Sequence, residues 1–167
     1  NYWRSAVGGG LVSEEQALRG IRSHGRDNAR TPMHWDAGPQ AGFTTGTPWI
    51  AVNPNHKEIN AEAAQADPDS VFHYYRQLIA LRKQLPVVVH GTFAPLLETH
   101  EQIYAYTRTH GAERLLVVAN WTAEPVAVPL DPATLPGDPS PLLASLPGPH
   151  PFAELRPFEA RIYHHGG

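Results

Sequence analysis

The stretch QIYAYTRTHGAERLLVVAN, residues 102–120, decides the fold class. Gln102–Arg108 and Arg114–Asn120 are rich in aromatic, β-branched and aliphatic residues, and His110-Gly111-Ala112 between them is a turn signal. The stretch therefore reads as two short strands joined by a tight connection. Outward from it, Gly91–Leu97, Pro125–Leu130 and Glu154–His164 read as further β segments, and Asn120-Trp121-Thr122 marks another turn. Several short strands in quick succession predict an antiparallel sandwich or barrel. Ten of the 17 prolines lie between residues 125 and 157, so the link between the last strands is expected to be stiff, extended and exposed.

Toward the N-terminus the period becomes helical. Asp67 suits an N-cap, Pro68 the first helical position, and Asp69 the positive end of the helix dipole. Val71, Tyr74, Tyr75, Leu78, Leu81 and Leu85 then recur at helical spacing, Phe72 and Ile79 widen the stripe, and Pro86 closes it. So wide an apolar face predicts packing against something substantial. Ser13-Glu14-Glu15-Gln16 fits a capping box that opens a short helix through Ala17, Leu18 and Ile21, stopped at Gly25. Residues 1–12, ending in Gly8-Gly9-Gly10, read as a flexible run. Between 26 and 56 the breakers Pro32, Pro39, Pro48, Pro54, Gly38, Gly42 and Gly46 forbid a long regular element. Trp35, Phe43, Trp49 and Ile50 imply that this long loop is ordered by packing. The expected boundary divides residues 1–85, loops and helices, from residues 86–167, a small β domain.

Composition narrows the function classes. The chain has 167 residues, enough for a core but fewer than the roughly 200 of the smallest complete (β/α)₈ barrels. The absence of Cys excludes disulfides, Cys-ligated zinc and thiol nucleophiles. Thirteen Lys and Arg against sixteen Asp and Glu give a net charge of −3 without a basic stripe, so nucleic acid is not an expected partner. No apolar run approaches ~18 residues, and no membrane span is expected. Asn1-Tyr2-Trp3-Arg4 has neither an initiator Met nor a signal-peptide core and reads like a cut. The Cys-free composition suits either compartment, with the cytoplasm favoured.

The densest chemistry lies at Gly25–Asp36, GRDNARTPMHWD. Two guanidiniums, two carboxylates, an amide, an imidazole and an indole share non-helical backbone there. Sugar sites use that palette, since Arg and Asp bond hydroxyls directionally and an aromatic ring lies against the apolar face of a sugar. Equally, Arg26 or Arg30 can pair with Asp27 or Asp36 merely to fasten the loop. No two carboxylates stand out as a glycosidase acid and nucleophile, because Asp27 and Asp36, the pair nearest the cluster, both sit in loop. The ten His show no zinc spacing, with His73 and His164-His165 read as packed or surface residues. No G-x-S-x-G elbow occurs, and Gly8-Gly9-Gly10 lacks a phosphate-loop Lys. No catalytic residue, metal or cofactor is expected within the chain.

Arg26–Asn60, RDNARTPMHWDAGPQAGFTTGTPWIAVNPNHKEIN, resembles the stretch after the seventh barrel strand in the oligo-1,6-glucosidase/α-glucosidase branch of glycoside hydrolase family 13. DPDSVFHYYRQLIALRK, residues 67–83, is similar to that family's eighth barrel helix, and Ser13–Gly25 to the short helix before the loop. Gly91–Tyr163, with VVANWT at 117–122 and PFEARIY at 157–163, resembles its C-terminal β-sandwich. The resemblance implies an antiparallel sandwich preceded by loop and helices from the end of a (β/α)₈ barrel. It implies a retaining α-glucosidase-like parent acting on short α-glucosides, by hydrolysis, transfer or isomerisation. The Asp nucleophile, Glu acid and second Asp of that chemistry have no matching motif in residues 1–167, so the chain alone is expected to be inactive. By motif position Arg26 reaches the −1 glucosyl pocket, and Asp27 and Asn28 orient it or line the rim. Arg30, Trp35 and Phe43 serve as loop anchors or acceptor-subsite contacts. Trp121, Tyr104 and Tyr106 are implied to pack in the core or between domains. His34 stands where the family usually carries Gln. The implied partners are an α-glucoside or oligosaccharide, met through the parent enzyme, and the rest of the barrel. A stand-alone carbohydrate-binding or interaction module, or an inactive remnant, is the alternative.

Overall fold

The computed structural model describes residues 3–131 and 140–166. The chain divides into two compact units, Asn1–Ala66 and Asp67–Gly167. Pro132, Pro136 and Pro139, part of the expected stiff connection, lie outside the described residues.

The first unit is mostly loop around two helices. α1 spans Glu14–His24 and α2 spans Ala61–Ala66. The capping box before α1 is present: Ser13 Oγ accepts from the Gln16 amide at 3.2 Å, and Gln16 Oε1 accepts from the Ser13 amide at 3.0 Å. Each bond satisfies an amide that the first helical turn would otherwise leave bare. The start of the chain is more ordered than its glycines suggest. Trp3–Val7 forms a π-helical turn, Ala6 is buried, and its carbonyl accepts from Leu11 and Val12. Between α1 and α2 only three single 3₁₀ turns occur, at 27–29, 39–42 and 54–57, as the spacing of Pro and Gly requires.

The second unit opens with α3, Val71–Gln84, and α4, Pro86–His90. α3 begins later than its sequence suggests, because Asp67 folds back on itself. Its Oδ1 accepts from the Asp69 amide at 3.0 Å and its carbonyl from Ser70 at 3.1 Å. Pro86 ends one helix and starts another, since a missing N–H costs nothing at a first helical position. Seven strands follow among the described residues: β1 Thr92–Leu96, β2 Ile103–His110, β3 Glu113–Asn120, β4 Val126–Ala127, β5 Leu143–Ala144, β6 Glu154–Leu155 and β7 Ala160–His165. One antiparallel sheet runs β1-β2-β3-β7-β5, and β4 pairs with β6 in a second. The β2–β3 hairpin closes through a two-residue loop in which Gly111 takes the φ of +59° that the strand twist demands.

Ile103, Ala105, Leu116, Val118 and Tyr163 of the large sheet meet Val126, Val128 and Leu155 in the core. This is the antiparallel sandwich expected from the strand pattern. β5 escapes sequence detection because it is two residues long within a proline-rich run. The segment at 154–164 is two strands rather than one, broken where Phe158 adopts a φ of +53°.

At that break sits Glu159, fully buried. Its carboxylate accepts from Arg161 Nη2 at 2.7 Å and Nε at 2.9 Å, from Arg156 Nη2 at 2.9 Å, and meets His150 Nδ1 at 2.9 Å. Burial alone would push this carboxyl up, but the hydrogen bonds from Arg161, Arg156 and His150 outweigh it and hold it well below the usual carboxylate range. A group whose folded value is depressed stabilises the fold above its unfolded value and loses that contribution as pH falls toward the folded one. Glu159 thus contributes fully at neutral pH, and its contribution shrinks below its ordinary value of 4.5. Glu159→Gln strands a buried guanidinium and is expected to cost about 3–5 kcal/mol at pH 7. Urea denaturation of both forms from neutral to acid pH should show that gap narrowing below the ordinary value.

Candidate functional site

α1 delivers the chain to the polar cluster. The Gly25 amide donates to Ile21 O at 2.7 Å, and the backbone then leaves the helix extended. Asp27–Ala29 makes one 3₁₀ turn, closed by Ala29 N to Arg26 O at 3.1 Å and Arg30 N to Asp27 O at 3.0 Å. The side chains of Arg26, Asp27, Asn28 and Arg30 are exposed, and no hydrogen bond or ion pair within the described residues engages them. The arginine–aspartate clasp that would merely fasten the loop is therefore not formed. Asp36 is occupied otherwise: its Oδ1 accepts from the Gly38 amide at 2.8 Å.

The loop holds its shape through main-chain bonds rather than through its aromatic rings. Trp35 N donates to Ala41 O at 2.8 Å across a turn in which Gln40, Ala41 and Gly42 all have positive φ. Ala41 is fully buried at its centre, and a side chain at Gly42 would collide with the Asp36 carboxylate. Asn60 then clamps the far end. Its Nδ2 donates to His56 O at 2.8 Å and its Oδ1 accepts from Ala63 N at 2.8 Å, capping α2. The first two amides of α2 donate to His34 O at 2.9 Å and Trp35 O at 3.0 Å. Trp35, Phe43 and Trp49 are exposed, the last by 85%, so the expectation that their packing orders the loop is corrected: hydrogen bonding does so instead.

His34 lies inside this frame. Its Nδ1 is 2.9 Å from Ile59 O, so Nδ1 donates and Nε2 is the polar atom left to the ring. That nitrogen is buried without a partner, and the ring meets His56 edge-on at 5.9 Å.

Arg30 and Phe43 come together with Thr31, Pro32, Thr44, Thr47, Pro48 and Trp49 around a groove of about 420 Å³. An indole and a phenyl ring, a guanidinium and hydroxyls suit a sugar's mixed surface. Trp49 was legible only as an ordering aromatic, and its place in the groove comes from the turn at 44–48. Arg26, Asp27, Asn28 and Trp35 do not line it. A roomier groove of about 650 Å³ lies in the second unit, between α3 and residues 140–152. There Phe152 turns onto Tyr163 and His150 meets Glu159, so those two lining side chains serve the sandwich itself. No three metal-ligand side chains converge among the described residues, and no helix there is long and apolar enough to cross a membrane.

If Asn60 is the clamp, Asn60→Ala should cost about 1–2 kcal/mol in urea denaturation. It should also quicken amide exchange at Trp35 and Ala61, while α1 exchanges as before.

Residues 10–91 match the family described as Alpha amylase, catalytic domain, and residues 93–162 match Maltogenic Amylase, C-terminal domain. The chain is 46% identical over 152 residues to an oligo-1,6-glucosidase of Bacillus cereus, a match covering 89% of this chain and 27% of the relative. It is 56% identical over 108 residues to one from Parageobacillus thermoglucosidasius, covering 65% of this chain and 19% of that one. The solved trehalulose synthase of Pseudomonas mesoacidophila superposes with a TM-score of 0.81 at 38% identity, over 98% of this chain and 30% of the other. The chain thus spans less than a third of the length of these relatives. With the polar loop inside the catalytic-domain match and most of the sandwich inside the other, the chain belongs to the alpha-amylase family, glycoside hydrolase family 13, in its oligo-1,6-glucosidase/α-glucosidase branch.

Proposed function

We propose that this chain is the C-terminal portion of a retaining α-glucosidase-like enzyme acting on short α-glucosides, with a related glucosyl-transferring or isomerising activity as the alternative reaction of the same site. Arg26 is its substrate-pocket residue, Asp27 and Asn28 shape the rim, and Arg30 and Phe43 contact an acceptor sugar beside Trp49. Residues 1–85 serve as the closing segment of the catalytic barrel and residues 86–167 as the stabilising sandwich. The rest of the barrel and an α-linked oligosaccharide are its partners; neither nucleic acid nor a membrane is.

The observation that carries this reading is the unpaired state of the cluster. Among the described residues, Arg26, Asp27, Asn28 and Arg30 stand exposed and unengaged on a 3₁₀ turn that leads into the loop fixed by Asp36, Asn60 and α2. Free directional donors presented beside a hydrogen-bonded loop are what binding a hydroxylated ligand needs. A guanidinium next to a sugar carrying developing positive charge does not itself supply the nucleophile or the acid. It positions the ring and the carboxylates that do.

Positioning has no effect without the groups it positions. The isolated chain is therefore expected not to hydrolyse p-nitrophenyl α-glucoside or isomaltose. In an enzyme completed with a catalytic barrel, Arg26→Ala should lower kcat/KM by roughly 10²–10³-fold, the scale of losing one preorganised donor. Turnover by the purified isolated chain that disappears in Arg26→Ala would overturn the reading.

A further inference from the structure

Two imidazoles meet in the first unit, and the fold prepares them alike. His34 Nδ1 lies 2.9 Å from Ile59 O, and His56 Nδ1 lies 3.0 Å from Asn53 O. A main-chain carbonyl only accepts, so each Nδ1 donates, and in the neutral form of each ring the lone pair falls on Nε2. The ring centroids are 5.9 Å apart and the planes are inclined by 68°. His34 Nε2 is buried without a partner, and no hydrogen bond among the described residues reaches His56 Nε2.

Both rings stand on backbone that is itself held. Asn60 Nδ2 donates to His56 O at 2.8 Å, and His34 O accepts from the first amide of α2 at 2.9 Å. His56 lies in the single 3₁₀ turn at 54–57, which the Asn53 side chain caps by accepting from the Asn55 amide at 3.3 Å. Asn60 and the start of α2 therefore locate both residues. An edge-to-face contact between the rings accounts for their inclination but not for the buried nitrogen, which it leaves desolvated with nothing in exchange.

We propose that His34 and His56 bind one divalent transition-metal ion of the zinc type through their Nε2 atoms. Metal-binding histidines pass their other ring N–H to a carbonyl, carboxylate or water, which fixes tautomer and orientation, and both rings here do so. Two imidazoles that hold one ion through Nε2 at about 2.0–2.1 Å have ring centres roughly 5–6 Å apart. Two protein ligands leave the other coordination positions to water. Imidazole suits zinc, copper and nickel, whereas calcium and magnesium take oxygen ligands. Spacing along the chain does not mark this pair, because only the folded loop joins residues 34 and 56. The site belongs to this chain rather than to its family, since the family pattern carries Gln at position 34. It is independent of the proposed function. Its effect is structural: the ion clips His34 to His56 across the segment that carries Phe43 and Trp49 to their groove.

The test titrates zinc chloride into the chain and follows binding by calorimetry and by the long-range ¹H–¹⁵N signals of the imidazole nitrogens. The first equivalent of zinc is expected to move the Nε2 signals of His34 and His56 while both keep their proton on Nδ1. Magnesium and calcium chloride should move neither. His34→Gln, which keeps a donor for Ile59 O, and His56→Gln should each weaken zinc binding at least about ten-fold. The control is His90→Gln, because His90 and His110 form another imidazole pair with centroids 5.9 Å apart. Zinc affinity unchanged in that variant supports the proposal; affinity lost there places the ion at the other pair and overturns it. Zinc that leaves the signals of His34 and His56 unmoved overturns it too, as does affinity that survives His34→Gln and His56→Gln. The signals of the unaltered chain decide the question even where a variant fails to fold.

Discussion

The sandwich depends on one buried carboxylate. Glu159 accepts from Arg161, Arg156 and His150, and Arg161 in turn donates to Pro151 O at 2.6 Å and Glu154 O at 2.8 Å. Those carbonyls belong to the approach to β6 and to β6 itself, whose Leu155 is fully buried in the core. One ionic centre therefore ties β7 in the large sheet to β6 in the small one. A hydrophobic replacement would fill the space without specifying which carbonyls must lie there. The cost of desolvating charges is offset only when their remaining hydrogen-bonding capacity is used, and here both carboxylate oxygens and most of the guanidinium N–H groups are. Asn120 repeats the device at the next turn. Its Nδ2 donates to Glu124 O and Arg156 O, and its Oδ1 accepts from the amide and hydroxyl of Thr122.

Those two centres also explain which parts of the fold could be read in the sequence. The alternation in β2, the turn at Gly111 and the capping box at Ser13 are local, and each signal lies within a few residues of the structure it specifies. The short strands β5 and β6 are specified by distant partners: β5 by main-chain pairing with β7, and β6 by Arg161, which donates to Glu154 O. Two residues have no period, so nothing local marks them. Asp67 illustrates the opposite case, a strong local signal with two structural outcomes. An Asp before Pro suits a helix cap and an Asx turn alike, and here the turn forms and displaces the helix start to Val71.

The candidate site divides along the same line. The motif marks Arg26, Asp27 and Asn28, but their freedom from partners is a property of the folded loop, in which Asp36 and Asn60 are taken up by backbone amides and carbonyls. Trp49 joins Arg30 and Phe43 only through the turn at 44–48, and spacing along the chain does not disclose a groove wall. His34 is the point where family pattern and geometry meet most sharply. A Gln there has both a donor and an acceptor with which to answer neighbours, whereas the imidazole, once Nδ1 has donated to Ile59 O, has only Nε2 left, and that nitrogen is buried without a partner among the described residues.

Two kinds of unfinished surface thus occur in this chain, and they are not equivalent in free energy. The exposed guanidiniums and carboxylate at 26–30 are well solvated, so leaving them without partners costs the fold almost nothing. Phe93, Tyr104 and Trp121 stand exposed on the side of the large sheet away from its core. Their rings are largely apolar, and each such square ångström left in water forgoes about 25 cal/mol of stabilisation. A polar site can wait for its ligand without penalty, but an apolar face of several rings strongly favours cover. The asymmetry makes a sandwich bare on its outer face a less stable body than the same sandwich covered, whatever the loop binds.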